Sequence, residues 1–156
     1  MAEPVRMRRA QVEDVAEIVA MLSDDAIGRG REDTGDLGPY LSAFKEIDAD
    51  PRQLLAVAET GGRAVGTLQL TFIPYLSRGG STRALVEAVR VRAEERGRGI
   101  GARMMEWAES QARERGCSLI QLTSDRTRKN AHRFYGRLGY DPTHVGFKKA
   151  LPPPAD

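Results

Sequence analysis

The chain has 156 residues, 40% of them hydrophobic and 29% charged, which suits one globular domain with a genuine core and excludes a disordered chain. No run is apolar for long enough to span a membrane as a helix, and the opening Met-Ala-Glu-Pro lacks the apolar core of a signal peptide. Net charge is only +2, yet residues 11–50 hold eleven Asp/Glu against three Lys/Arg, a net of −8 that leaves +10 elsewhere.

The elements follow in chain order. Val5 to Arg8 predicts a short first strand. Val12, Val15, Ile18, Val19 and Leu22 recur at helical spacing and predict a first helix. Asp24 to Pro39 is rich in Asp, Gly and Arg and reads as a loop. Tyr40, Leu41, Phe44 and Ile47 predict a second helix that stops before Pro51. Leu54–Glu59 and Ala64–Phe72 are two strands joined by a tight turn at Gly61-Gly62. A loop from Ile73 to Ser81 leads to a strand over Arg83–Arg92. Ile100, Met104, Trp107, Ala108 and Gln111 trace a longer helix that Gly116 stops. Cys117–Thr123 predicts a strand, and Lys129–Leu138 a last helix closed by Gly139. Val145–Leu151 predicts a final strand, and the prolines at 152–154 keep the tail, 152–156, out of the sheet. Residues 1–151 therefore read as one α/β (α+β) domain with the order β-α-α-β-β-β-α-β-α-β.

The richest segment is Val91-Arg-Ala-Glu-Glu-Arg-Gly-Arg-Gly-Ile-Gly-Ala102. A strand feeds into Arg96, Gly97, Arg98, Gly99, Ile100, Gly101 and Ala102, and a long helix begins there. Glycines let the backbone come close to an anion, and several N–H groups can then point at it. The helix presents its positive end to the same place, which makes a pyrophosphate cradle. No Gly-Lys-Ser/Thr follows the glycines, so this is not a P-loop. Gly97, Gly99 and Ala102 also fit the dinucleotide fingerprint, with Asp125 downstream, but that fingerprint opens a first βαβ unit. Here it lies past mid-chain, with too few residues after it for a second nucleotide-binding half.

Arg96-x-x-Gly99-x-Gly101 resembles the acetyl-coenzyme A signature of the GCN5-related N-acetyltransferase (GNAT) superfamily. A second block, Asn130-Ala-His-Arg-Phe-Tyr-Gly-Arg-Leu-Gly-Tyr140, resembles the later helix of that family, with its Phe-Tyr pair followed by Leu-Gly-aromatic. The resemblance covers nearly the whole chain. It implies a mixed, mostly antiparallel sheet flanked by about four helices, the acyl-CoA N-acyltransferase fold. It also implies transfer of the acetyl group of acetyl-CoA to a primary amine, by direct attack through a tetrahedral intermediate. The implied acceptor is a small-molecule amine, a lysine or an N-terminal amine. Relatives are often dimers, so a homodimer is among the expectations.

The resemblance also assigns roles. Backbone at Val89 and Val91 would pair with the pantetheine arm, and one N–H, at Val89, would polarise the thioester carbonyl. Tyr135 would be the general acid beside the coenzyme sulfur. A thiolate of pKa near ~8.5 leaves better with a phenol of pKa near ~10 at hand. The alternative is a packed helix tyrosine like Phe134. In relatives, an asparagine commonly stands three residues before the alanine of this helix. Here Arg128 holds that position, and Asn130, immediately before Ala131, is the coenzyme contact carried over.

Other readings come from the residues themselves. Alternation places Leu85, Glu87, Val89 and Val91 on one strand face, and a carboxylate among apolar neighbours could act as base toward an ammonium. The alternative for Glu87 is a structural partner for an arginine such as Arg83. Arg126, Arg128 and Lys129 could meet a 3′-phosphate or simply form a solvated helix start. The acidic stretch 11–50 favours a cationic acceptor, while Arg78 and Arg83 favour one that also carries an anionic group. Cys117, the single cysteine, excludes an internal disulfide, fits a reducing cytoplasm and reads as a core residue rather than a nucleophile served by His132 or His144. No metal-ligand spacing occurs, so no metal is expected. Acidic residues interrupt the arginines between 90 and 137, which argues against nucleic acid. A second functional class stays open: an acyl-CoA-binding sensor without transferase activity.

Overall fold

The computed structural model describes residues 3–155. The chain divides into two compact units, Met1–Leu122 and Thr123–Asp156.

The first unit opens with β1 (Arg6–Arg9), a 3-10 turn (Val12–Asp14) and α1 (Val15–Ser23). Val15, Ile18 and Val19 of α1 are buried as their spacing predicts, while Val12 lies outside the helix and is half exposed. The acidic loop that follows holds a helical turn, α2 (Ala26–Arg29), capped by Asp25, whose Oδ1 accepts from the Gly28 N–H at 2.5 Å. α3 (Gly38–Ala49) begins with a proline in its first turn and ends ahead of Pro51. β2 (Gln53–Thr60) turns through Gly61 and Gly62, both at positive φ (57° and 74°), into β3 (Arg63–Pro74). A turn, α4 (Ser77–Gly80), leads to β4 (Thr82–Val91), a second 3-10 turn (Ala93–Glu95), α5 (Ile100–Glu114) and β5 (Cys117–Leu122).

The five strands lie in the order β1-β2-β3-β4-β5. Every pairing is antiparallel except β4 with β5, which are joined by the α5 crossover. The register decides what each face buries. Ala56 opposes Leu68, Leu70 opposes Val86 and Phe72 opposes Ala84, so these residues share a face. α5 packs on the sheet with Ile100, Met104, Met105, Ala108 and Ala112 buried. The other face carries Val57 in a cluster with Val15, Ile18 and Val19 of α1 and Phe44 of α3. Each layer thus removes one apolar stripe from water, at about 25 cal/mol per Å² of apolar area.

The second unit contains α6 (Lys129–Arg137). Asp125 precedes it in a turn that accepts from the Thr127 N–H at 2.8 Å. Its C-terminus closes as a Schellman motif: Gly139 (φ 92°) donates to the Gly136 carbonyl and Tyr140 to the Tyr135 carbonyl, both at 3.0 Å. The strand expected over 145–151 is not formed. The segment has no helix or strand, and Val145, Phe147 and Leu151 are exposed by 79%, 92% and 84%. Apolar alternation marks a segment able to pair, but a strand needs a neighbouring backbone to supply its hydrogen bonds.

Candidate active site

The site is organised by β4. Its first half, Thr82 to Val86, pairs with β5 from Cys117 to Leu122. β5 ends there, and Glu87 to Val91 run on without it. On the other edge the pairing with β3 slips: Gln69 opposes Glu87, but Thr67 already opposes Arg90. This is a β-bulge, and Ala88 within it adopts φ 55°, a left-handed conformation rare for a residue with a Cβ. Such strain, of order 1 kcal/mol or more, persists where surrounding contacts hold it and is typical of functional sites.

The bulge corrects the alternation expected for this strand. Glu87 and Arg90 now share a face, because Gln69 and Thr67 do. Val91 opposes Gly66 on the α5 face, so it does not lie with Glu87. One inserted residue shifts the period-2 pattern by one, which sequence alternation cannot show.

Charged pairs clamp the bulge. Arg90 Nη1 donates to the Val89 carbonyl at 2.9 Å, and its Nε lies 3.5 Å from Asp25 Oδ2. Arg92 donates from Nε to the Ala64 carbonyl at 2.7 Å and pairs with Glu17 of α1. Sequence reasoning missed Asp25, Arg90 and Arg92. The only trace of them was the opposite charge of residues 11–50 and the later chain.

Beyond β4 comes the cradle. Gly97 and Gly99 have φ of 81° and 78°, and a Cβ on either would meet nothing within 4 Å. Glycine is therefore required there by backbone angle, and the space above both is open for a ligand. Gly99 is the N-cap of α5 and offers no side chain to its first N–H groups. No acidic residue occupies that first turn. Arg96 and Arg98 are exposed beside it, tethered by Arg96 Nε to the Val91 carbonyl (3.2 Å) and Arg98 Nη1 to Glu95 (2.9 Å). Ile100 is buried and anchors the helix, with Gly101 and Ala102 half-buried behind it. An uncompensated helix N-terminus, open glycine backbone and two exposed guanidinium groups fit a pyrophosphate.

Glu87 is exposed rather than set among apolar groups. It is not paired with Arg83: Arg83 Nη1 donates to Gln121 Oε1 at 2.7 Å, and the guanidinium lies 3.8 Å above the Tyr75 ring. Gln69, opposite Glu87, donates to Gln53 Oε1 at 2.9 Å, and Thr71 donates to the same oxygen at 3.0 Å. Glu87, Gln69 and Thr71 thus give this face a polar lining.

In the second unit Tyr135 is half-buried between two rings, with Phe134 at 5.0 Å and Tyr140 at 5.9 Å, both edge-on. Asn130 is exposed and accepts from Arg133 on the same helix. His132 Nε2 hydrogen-bonds the Asp125 carbonyl at 2.8 Å, and His144 Nδ1 meets Thr143 Oγ1 at 2.6 Å. Arg126 and Lys129 are exposed, as a solvated helix start would be. Burial pushes the Cys117 thiol up, which leaves it protonated and a poor nucleophile at neutral pH. Among the described residues no group of three or more His, Cys, Asp and Glu could hold a metal ion, and no helix is long and apolar enough to cross a membrane.

A mixed five-stranded sheet whose fourth strand parts from the fifth and runs into a glycine cradle at a helix N-terminus defines the acyl-CoA N-acyltransferase fold. The chain belongs to the acetyltransferase (GNAT) family, whose sequence model matches residues 16–140. It is similar to an aminoalkylphosphonate N-acetyltransferase of Salmonella typhimurium, with 30% identity over 93% of this chain and 90% of that protein. Among solved structures it resembles a transcriptional regulator from Bacillus halodurans, with 45% identity, a TM-score of 0.92 and coverage of 95% of this chain and 100% of that one. A predicted acetyltransferase from Clostridium acetobutylicum, solved with acetyl-CoA, shares the fold at 20% identity and a TM-score of 0.72, over 95% and 97% of the two chains.

Proposed function

We propose that the protein is an N-acetyltransferase that uses acetyl-CoA to acetylate a small primary amine. The observation that carries this is the continuity of the bulged, half-unpaired β4 with the open cradle at Gly97 and Gly99. When bound, acetyl-CoA supplies an acetyl group activated as a thioester. The chain's own groups then have separate tasks. Backbone N–H groups from Gly97 to Ala102, with Arg96 and Arg98, neutralise the pyrophosphate. Backbone at Val89 and Val91 aligns the pantetheine arm, and the Val89 N–H stabilises charge developing on the carbonyl oxygen. Glu87 takes the proton of the incoming ammonium, directly or through water. Tyr135 returns a proton to the departing sulfur, a role assigned by the Phe134-Tyr135 motif alone.

The Salmonella relative's name makes aminoalkylphosphonates the first acceptors to test. A second reading, a coenzyme-binding regulator without transferase activity, is favoured by the name of the Bacillus halodurans relative. Calorimetric titration with acetyl-CoA, with NAD as control, followed by thiol release across a panel of amines, separates the two. Binding with release supports the transferase. Binding without release from any amine supports the regulator. Absence of acetyl-CoA binding by folded protein overturns both.

A further inference from the structure

The first unit holds four half-buried arginines: Arg8, Arg83, Arg90 and Arg92. Three have carboxylate partners, Arg8 with Asp14 and Glu59, Arg90 with Asp25, and Arg92 with Glu17. Arg83 has none among the described residues. Its fixed partners are neutral: Gln121 Oε1 at 2.7 Å from Nη1 and the Tyr75 ring at 3.8 Å. Its Nε is buried without a hydrogen-bond acceptor. A cation withdrawn from water is normally paired, because its desolvation is repaid only by an opposite charge. A ring face and an amide oxygen hold the guanidinium still and leave its positive charge uncancelled.

Its position gives that charge a use. Arg83 and Glu87 are four residues apart on β4, ahead of the bulge, and so share the strand face lined by Gln69 and Thr71. Gln121, which accepts from the guanidinium, is registered against Leu85, between the two residues. At about 3.3 Å per residue their Cα atoms stand roughly 13 Å apart, a gap that the long arginine and glutamate side chains can narrow. One strand face thus offers a carboxylate and an unpaired guanidinium within the span of a small zwitterion.

We propose that Arg83 binds an oxyanion on the acceptor, a carboxylate or phosphonate joined to the reacting amine by a short chain. Arg83 is then a specificity-determining residue of the acceptor site. This rests on the transferase reading above. The oxyanion accepts from the guanidinium, while Glu87 faces the ammonium end. A planar guanidinium already held by neutral partners meets such a group at little cost in side-chain ordering.

The test compares three acceptors of similar size, 2-aminoethylphosphonate, β-alanine and propylamine, by thiol release from acetyl-CoA. The wild-type protein is expected to favour at least one anionic acceptor over propylamine in kcat/KM by about 10- to 100-fold. Arg83→Met is expected to lower kcat/KM for the anionic acceptors about 10- to 100-fold more than for propylamine, mostly through KM. Arg83→Lys should restore part of the preference. Thermal melting of each variant separates misfolding from lost recognition. Equal use of all three acceptors by the wild type overturns the inference but leaves the transferase reading standing, as does an equal loss for all three in Arg83→Met. Absence of release with every amine sinks the transferase reading itself.

Discussion

Met104 of α5 stands over Gly66 of β3 so closely that a Cβ at residue 66 would lie 2.6 Å from the methionine Sδ. The same Cβ would sit 3.2 Å from the Arg90 carbonyl and 3.3 Å from the Ala58 Cβ. Gly66 therefore sets how near the helix that carries the cradle comes to the sheet. Gly66→Ala is expected to cost about 1–3 kcal/mol, because a fully buried methionine must move in a close-packed layer. Urea denaturation measures this, and an unchanged midpoint would show that Met104 repacks freely.

Gly97 and Gly99 have space around them but a backbone that L-residues avoid. Gly99→Ala places a methyl group over the anion site and strains the N-cap by about 1–2 kcal/mol. Affinity for acetyl-CoA should fall about tenfold or more, while the melting temperature falls by only a few degrees. A titration showing unchanged affinity would move the pyrophosphate elsewhere.

Arg8 donates to both carboxylate oxygens of Asp14, at 2.7 and 2.9 Å, and Asp14 in turn accepts from the Gln11 N–H at 2.7 Å. The Arg8 hydrogen bonds hold the Asp14 carboxyl below its ordinary range, against a smaller opposing effect of burial. A depressed carboxyl stabilises the fold above its unfolded pKa of about 3.9, and that contribution is lost as pH falls through the folded value. Arg8→Met should therefore destabilise the protein by about 2 kcal/mol at pH 7, with the gap from wild type narrowing below about pH 4. A gap that stayed constant down to pH 2 would assign the effect to packing instead of charge.

The transferase reading places a base at Glu87 and an acid at Tyr135. Glu87→Gln is expected to lower kcat/KM about 100-fold. Tyr135→Phe should lower kcat with little change in acetyl-CoA affinity. Unchanged turnover in both variants would exclude the assigned roles.

The chain's local features were legible because they belong to contiguous residues. The positive-φ turns at Gly61-Gly62 and Gly97-x-Gly99, the Pro51 stop after α3 and the glycine closing α6 each follow from a few neighbouring side chains. So does the order of elements from β1 to α6, apart from the one-turn α2 and α4, which reflects changes between period 2 and period 3.6 in hydrophobicity. That was enough to draw the cradle and the family resemblance.

Tertiary structure decided what depends on which backbone lies alongside. The bulge at Ala88 is a matter of register between β3 and β4, and it alone turned Arg90 toward Glu87 and Val91 away. Arg83 found Gln121 and Tyr75 in place of Glu87, because those partners lie far apart in sequence and meet only across strands. Val145 to Leu151 has the alternating pattern of a strand but holds no helix or strand, since alternation states a capacity and not an outcome. Periodicity and turn chemistry are short-range properties of the chain, whereas register, charge pairing and strand partners are set by long-range packing.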